Sequence, residues 1–422
     1  MIDKDKKFVW HPFTPQHPTI GDNIFIQKAE GIYLHTSDGR KIIDAISSWW
    51  VNIHGHANQR IAKTLWEQAS KLEHVIFAGF THEPAIKLAE NLLSILPSNI
   101  AKVFYSDNGS TANEVALKMA IQYWHNQGIN KKKIIALEGA YHGDTFGAMA
   151  IGDRNIFTTP FVDYLFEVTF LDLPTSRNQE QVIKQFSSLV ETGDVGIFIF
   201  EPLVQGAAGM RMYNPSTLSS LVKIAKKHNV VCIADEVFTG FYRTGKFLAS
   251  NYLSEQPDII ALSKGITGGT MPLGVTVCAQ KIYDAYLSAE MTKAFLHGHS
   301  YTANPLACAV ANTSFEILME EECQKQIQVI DASHQEFITE IRNHKSILDI
   351  RALGTILSIE IRTEQKTEYT NSLREKIYSY FLSKDILMRP LGNIIYLVPP
   401  YVITKAELKK VYQTIREFLD LI

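Results

Sequence analysis

The chain has 422 residues, 46% of them hydrophobic and 20% charged, with a formal net charge of −3. That length supports a sizeable core and two domains. The balance gives no electrostatic case for nucleic acid or an anionic membrane, and no apolar run is long enough to span a bilayer. Cys232, Cys278, Cys308 and Cys323 lack metal or redox spacing, and the first three lie in apolar segments. They read as reduced residues of a cytoplasmic protein. The N-terminal stretch from Met1 to Lys7 has no signal-peptide core.

In chain order, residues 1–50 read as irregular with short strands at Ile24-Phe25-Ile26 and Ile32-Tyr33-Leu34 and a hairpin turn at Ser37-Asp38-Gly39-Arg40. Trp49 and Trp50 are adjacent, and an extended backbone would send them to opposite faces, so one is expected to line a pocket. His54 and His56 have no acid or cysteine cluster to make a metal site with them. Amphipathic spacing predicts helices over 59–75 and 83–96.

Lys102 to Tyr105 reads as a strand, followed by Ser106-Asp107-Asn108-Gly109-Ser110-Thr111 at the start of a long helix. Strand, small-residue turn and helix N-terminus form a phosphate cradle of backbone N–H groups and helix dipole. Gly109 allows close approach and Ser110 adds a hydroxyl; an ordinary N-cap is the plainer reading. The three lysines 131–133 read as a solvated loop. Strand 134–137 then leads to Tyr141, placed to stack on an aromatic ligand. Helix 178–192, strand 195–200 and helix 215–228 precede the apolar run from Val230. Alternation of strand and helix through 100–280 argues for a mostly parallel sheet with helices on both faces.

The run from Val230 ends in two acids, Asp235 and Glu236. An acid at the carboxyl end of a buried strand points into the crevice where open α/β sheets bind ligands. The next apolar run, Pro257 to Leu262, delivers Lys264. A lysine at the mouth of a buried strand is poorly solvated, which disfavours its ammonium form and makes the amine nucleophilic. Most Ser-Lys-Gly triplets are solvated turns, but an acid and a lysine on successive strand ends suit pyridoxal 5′-phosphate (PLP). There the lysine would form a Schiff base, and the acid would keep the pyridine nitrogen protonated. Further on, Gly298 to Asn304 reads as a turn-rich loop and Pro305 as the first residue of helical segments reaching about 343. Residues 344–422 alternate strand and helix again, and Arg389 sits between two of those strands as a carboxylate clamp or a surface ion pair.

The ordered set Asp107 to Glu114, Ala140-Tyr141-His142-Gly143, Glu201-Pro202, Ala234-Asp235-Glu236-Val237, Arg243-Thr244-Gly245 and Ser263-Lys264-Gly265 resembles the PLP-dependent class III aminotransferases over nearly the whole chain. The resemblance implies an α/β fold of the PLP-dependent transferase fold type I, a mostly parallel seven-stranded sheet flanked by helices plus a smaller α+β domain. Its expected boundaries are residues 1–55 joining the small domain, 56–320 for the large PLP-binding domain and 321–422 for the small one. It implies that Lys264 holds PLP and shuttles the proton, that Asp235 pairs with the ring nitrogen, and that Gly109 and Ser110 bind the phosphate. Tyr141 would stack on the ring and touch substrate, and Val237 would pack on the opposite face.

Trp10 to Thr14, the Trp49-Trp50 pair and Arg389-Pro390 with Tyr396 to Tyr401 narrow the resemblance to a member acting on a long keto acid. Trp49 would line the substrate channel and Arg389 would bind the far carboxylate. Gly298, His299 and Ser300 match a loop that reaches the cofactor phosphate of a neighbouring subunit and borders the substrate, which implies a homodimer with shared sites. His299 stands where familiar members carry proline, and Phe13 stands where members using S-adenosylmethionine carry tyrosine; some relatives use lysine as donor. Small-molecule substrates, a keto acid and an amine, are the implied partners, with no nucleic acid and no membrane. Three rivals remain open: another class III ω-aminotransferase of the ornithine or 4-aminobutyrate type, a lysine Schiff-base aldolase without PLP, and a non-catalytic PLP-binding protein.

Overall fold

The structure is a computed structural model and describes residues 1–17 and 21–422. Its N-terminal part contains a short helix, Ile2–Phe8, and strands β1 (Ile26–Glu30), β2 (Tyr33–Thr36) and β3 (Lys41–Asp44). The first strand begins at Ile26, where antiparallel pairing to Thr36 starts, so Ile24 and Phe25 precede it. Helices Gln59–Lys71 and Glu83–Ile95 follow, close to their expected bounds. Asn58 and His82 cap them by accepting backbone N–H groups.

The large sheet contains β4 (Ile100–Ser106), β5 (Lys133–Leu137), β6 (Thr169–Leu171), β7 (Val195–Phe200), β8 (Val231–Asp235), β9 (Ile259–Leu262) and β10 (Gly274–Ala279). Their spatial order is β4-β10-β9-β8-β7-β5-β6. Only β10 runs against its neighbours, β9 and β4. Strands β7, β8 and β9 are buried at every position, as near-continuous apolar runs in a covered parallel sheet should be. Lys133 opens β5, exposed and paired with Asp194, and Lys131 donates to the carbonyls of His228 and Asn229, so the three lysines lie at the surface with two of them in local contacts. Helix α1 (Gly109–Asn126) packs on the sheet, with Val115, Ala116, Leu117 and Ala120 buried.

Residues 305–341 form two helices, α2 (Pro305–Met319) and α3 (Glu321–Ile341), because Glu320 takes an extended ψ of 140° between them. The C-terminal part holds β11 (Ile347–Leu353), β12 (Ile356–Ile361), β13 (Ile386–Leu387) and β14 (Ile394–Leu397), and ends in α4 (Lys405–Leu421). β11, β12 and β14 form an antiparallel sheet. β11 escaped the sequence reading because the Asp349 and Arg351 charges interrupt its apolar pattern. Strand β13 pairs in parallel with β3, so the two ends of the chain share a sheet.

The tryptophan pair corrects the extended reading. Ser47, Ser48, Trp49 and Trp50 all have positive φ, between 44° and 74°, and make one left-handed turn. Such a turn strains non-glycine residues and persists only when the surroundings hold it. Here Ser47 Oγ donates to Val398 O at 2.6 Å and accepts from Arg243 at 2.9 Å, while Asp44 accepts from Ser48 N and Oγ. The two rings still part company: Trp50 is 5% exposed and Trp49 is 40% exposed.

Candidate active site

Parallel pairing sets Asp235 of β8 opposite Ala261 of β9, and Lys264 follows three residues later at the same sheet edge. The two acids ending β8 diverge, because successive strand residues face opposite ways. Asp235 points to the cavity. Glu236 turns away and is buried against Ser250, Thr239 and Ala249, which all donate to it. Only the first acid is free for ligand chemistry.

Asp235 is held from three sides. His142 Nδ1 lies 2.7 Å and Asn113 Nδ2 2.8 Å from Oδ2, and the Val237 N–H donates to Oδ1 at 3.0 Å. The three donors fix the plane of the carboxylate. Burial lowers the Lys264 pKa to about 8, against the opposing pull of Asp235 and Glu201. Its Nζ lies 4.5 Å from the Trp50 ring centroid, and Lys264 itself has a φ of 48°. Glu201 accepts from the backbone N–H groups of Tyr141 and Gly206, both at 3.0 Å, and burial pushes its carboxyl up to about 7. Burial also raises the Tyr141 phenol, with Asp144 adding to the effect.

These groups line a cavity of about 470 Å³ together with Gly109, Ser110 and Val237. Its floor is the start of α1. Asn108 caps Thr111 N at 2.9 Å, which leaves the N–H groups of Gly109 and Ser110 facing the cavity end, as unsatisfied first-turn donors do. A Cβ on Gly109 would come within 2.6 Å of Val237 Cγ1, so only glycine lets the helix start and Val237 approach. The cavity thus offers an anion-binding helix end, a flat slot beside Val237, a fixed carboxylate and a primary amine. His142 Nε2 is buried without a partner, a sign that the slot is shaped for a polar ligand. Phosphate, aromatic ring, ring nitrogen and carbonyl of PLP each find a matching group.

A second cavity of about 320 Å³ leaves Lys264 in another direction, walled by Phe13, Trp49, Trp50, Phe157, Tyr369 and Tyr396. Phe13 meets Trp49 edge-on at 5.2 Å and Phe157 at 5.8 Å. Arg389 stands at its end, 4.9 Å over the Trp49 ring, with no carboxylate partner among the described residues. Of the two sequence readings of Arg389, a surface ion pair is not formed among the described residues.

The structure therefore brings together Lys264, Asp235, Tyr141, Gly109, Ser110, Val237, Trp49 and Arg389. Gly298, His299 and Ser300 do not join them: they lie outside both cavities of this chain, with Gly298 and Ser300 exposed. His54 and His56 turn elsewhere, to Ser314 Oγ and Asp44. Sequence reasoning gave no role to His142, Asn113 and Glu201, although all three lay inside the motifs that carried the resemblance. Phe157 and Tyr369 come from irregular loops that gave no signal.

The profile of the family described as aminotransferase class-III matches residues 16–419. The chain is 44% identical over 420 residues to the adenosylmethionine-8-amino-7-oxononanoate aminotransferase of Synechococcus elongatus, covering 98% of both chains. It is 36% identical to the enzyme of the same name from Staphylococcus aureus, covering 96% of this chain and 94% of that one. Among solved structures, the enzyme of that name from Methanocaldococcus jannaschii superposes with a TM-score of 0.92 at 34% identity, over 98% of both chains. An amine transaminase from an uncultivated Pseudomonas species, solved in a PLP-bound form, superposes with a TM-score of 0.90 at 27% identity, over 96% of this chain and 97% of that one.

Proposed function

The chain belongs to the class III aminotransferases, and from that premise we propose that it moves the amino group of S-adenosylmethionine to the ketone of 8-amino-7-oxononanoate, giving 7,8-diaminononanoate in biotin synthesis. The observation that carries this reading is the unpaired Arg389 guanidinium at the end of an aromatic tunnel that starts at Lys264. A long keto acid needs apolar walls for its chain and a fixed cation for its far carboxylate. A short keto acid also needs a cation for its carboxylate, but not a long apolar wall between that cation and the amine.

PLP, when bound, supplies a reactive carbonyl and an electron-withdrawing ring that stabilises negative charge on the substrate carbon. The rest falls to this chain. Lys264 Nζ would hold the cofactor covalently and, once released from it, would carry a proton between the substrate carbon and the cofactor within each half-reaction. Its lowered pKa keeps a useful fraction of the amine unprotonated near neutrality. Asp235, oriented by His142 and Asn113, keeps the ring nitrogen protonated. Gly109 and Ser110 bind the phosphate with their N–H groups. Val237 and Tyr141 fix the ring from its two faces, and Trp49 guides the acceptor chain.

The reading includes a homodimer in which the partner subunit completes the phosphate site with the loop at Gly298, His299 and Ser300. It is supported by exposed Phe80, Leu296 and Tyr301 around that loop, with His74 and Tyr301 rings 5.2 Å apart. A cytoplasmic location accords with a biosynthetic role.

The test is the absorption spectrum of PLP-loaded protein as S-adenosylmethionine is added without acceptor. Loss of the yellow band and a rise of the pyridoxamine form support both activity and donor. Phe13, which brings no hydroxyl to the tunnel, favours lysine as the second reading. An unchanged band with S-adenosylmethionine but a lost one with lysine establishes that reading instead.

A further inference from the structure

Two histidines stand just past the tryptophan turn, and neither lines the cofactor slot or the tunnel. His56 serves the turn itself: its Nε2 lies 2.8 Å from Asp44 Oδ2, and Asp44 accepts from Ser48. His54 faces the lysine loop and is 4% exposed. Its Nε2 lies 3.0 Å from Ser314 Oγ on α2, and that hydroxyl donates to the Gly265 carbonyl at 3.4 Å. With the hydroxyl proton on Gly265, the imidazole must donate to Oγ, so its proton sits on Nε2. Burial lowers the His54 pKa to about 4, which keeps the ring neutral near pH 7. Gly265 follows Lys264 directly. Its carbonyl also accepts the Gly268 N–H at 3.0 Å, so Ser314 is its anchor from outside the turn. The His54 ring packs on the same turn. Lys264–Thr267 ends at Gly268, whose φ is 60°, and a Cβ there would sit 2.9 Å from His54 Cδ2. One on Gly269, at a φ of 83°, would meet Asn52 Cα at 3.1 Å. The segment after the tryptophans thus lies directly against the segment that carries the lysine.

We propose that His54 is a positioning residue for the transamination: through Ser314 it fixes the Gly265 peptide and so holds Lys264 in its left-handed backbone, with Nζ over Trp50. The inference rests on Lys264 as the residue that holds PLP. The lysine needs such a hold. Its φ of 48° is strained in a residue with a Cβ and persists only where neighbours fix it. Ser263 Oγ donates to Leu273 O at 2.7 Å and Thr267 Oγ1 to Met271 O at 2.5 Å. These ties fasten the residues on either side and leave the peptide after the lysine to Ser314. Without that anchor the turn relaxes toward an ordinary φ, and Nζ moves toward the open end of the slot. Water then returns to the amine and favours its ammonium form. Asp235 and Glu201, which also favour that form, and Arg243, which opposes it, keep their places around the lysine.

The experiment follows PLP capture by the cofactor-free protein, by stopped-flow absorbance from neutral to alkaline pH. It compares the parent with His54→Leu, His54→Gln and Ser314→Ala, with the melting temperature of each. Leucine fills the place of the ring without a donor, and glutamine sets an amide N–H near the Nε2 position. His54→Leu and Ser314→Ala should raise the pH midpoint of capture by about one unit, as part of the lost solvation returns, and His54→Gln should keep the midpoint of the parent. In the PLP-loaded enzyme the first two should lower kcat about tenfold with the keto-acid KM unchanged. Ser314→Ala removes a single oxygen, so it decides the matter if leucine at position 54 prevents folding. Lower melting temperatures with the midpoint in place would overturn the positioning role. A midpoint raised as far in His54→Gln as in His54→Leu would overturn the hydrogen-bond relay. A parent protein that captures no PLP would instead refute the role of Lys264 on which the inference stands.

Discussion

Replacing Lys264 with methionine in the cofactor-free protein tests whether burial is the source of its reactivity. The ammonium pKa falls from the ordinary 10.5 to about 8, with burial as the largest cause. A lowered folded pKa means that the unfolded chain binds the proton more tightly. Folding is therefore penalised in full below about pH 8, and the penalty fades as pH rises towards 10.5. A gap of about 2.5 pH units at about 1.4 kcal/mol each gives about 3.5 kcal/mol. Lys264 borders an open cavity whose water returns part of that, leaving about 2–3 kcal/mol. Methionine keeps most of the volume and drops the charge. At pH 7 the variant should be more stable than the cofactor-free parent by that amount. For a chain of 422 residues this is about 2–3 °C in melting temperature. Calorimetric melts between pH 7 and 10.5 should show the difference closing. Parallel curves for parent and variant would mean a well-solvated ammonium, and desolvation would then not explain a reactive amine.

The same titration predicts that capture of PLP by the cofactor-free protein speeds up as pH rises and levels off above about 8, where the Lys264 amine is neutral; stopped-flow absorbance reads it. Arg389→Ala should raise the keto-acid KM by about tenfold to a hundredfold, the worth of a charge-assisted pair, while PLP retention measured by dialysis stays unchanged. Asp235→Asn removes the fixed negative charge beside the ring nitrogen and should lower kcat by about a hundredfold or more, with the keto-acid KM little changed. Gly354→Ala should lower the melting temperature without touching KM. Gly354 has a φ of +58°, and its new Cβ would sit against the Arg243–Gly245 backbone far inside contact distance.

The chemistry was legible where local pattern and cofactor demand coincide. Lys264 and Asp235 announce themselves because each ends an apolar run, and Gly109 because a small residue sits between strand and helix. What escaped lies in side chains whose meaning depends on distant neighbours. Nothing in the sequence around Glu236 says that Ala249 and Ser250 bury it while Asp235 stays with the cavity. Arg389 was ambiguous because only the fold sets it over Trp49, 340 residues earlier in the numbering. The Trp49–Trp50 turn was misread because a left-handed backbone in non-glycine residues has no sequence signature, and its supports come from Arg243 and Val398. The break at Glu320 and the strand β11 were lost to ordinary boundary ambiguity.

The contacts of Ser47 set an order of assembly. The walls of the cofactor slot are all encoded by residue 273. The left-handed turn waits for Val398, whose carbonyl takes the Ser47 hydroxyl, and for Pro399, whose carbonyl takes the Arg243 guanidinium. A chain emerging from the ribosome in N-to-C order therefore has every residue of the PLP slot in hand well before the turn that carries Trp49 and Trp50 is locked. Until Val398 and Pro399 arrive, Trp50 of the slot and Trp49 of the tunnel have no fixed place, and nothing selects what reaches Lys264. Selectivity is the last property this sequence acquires.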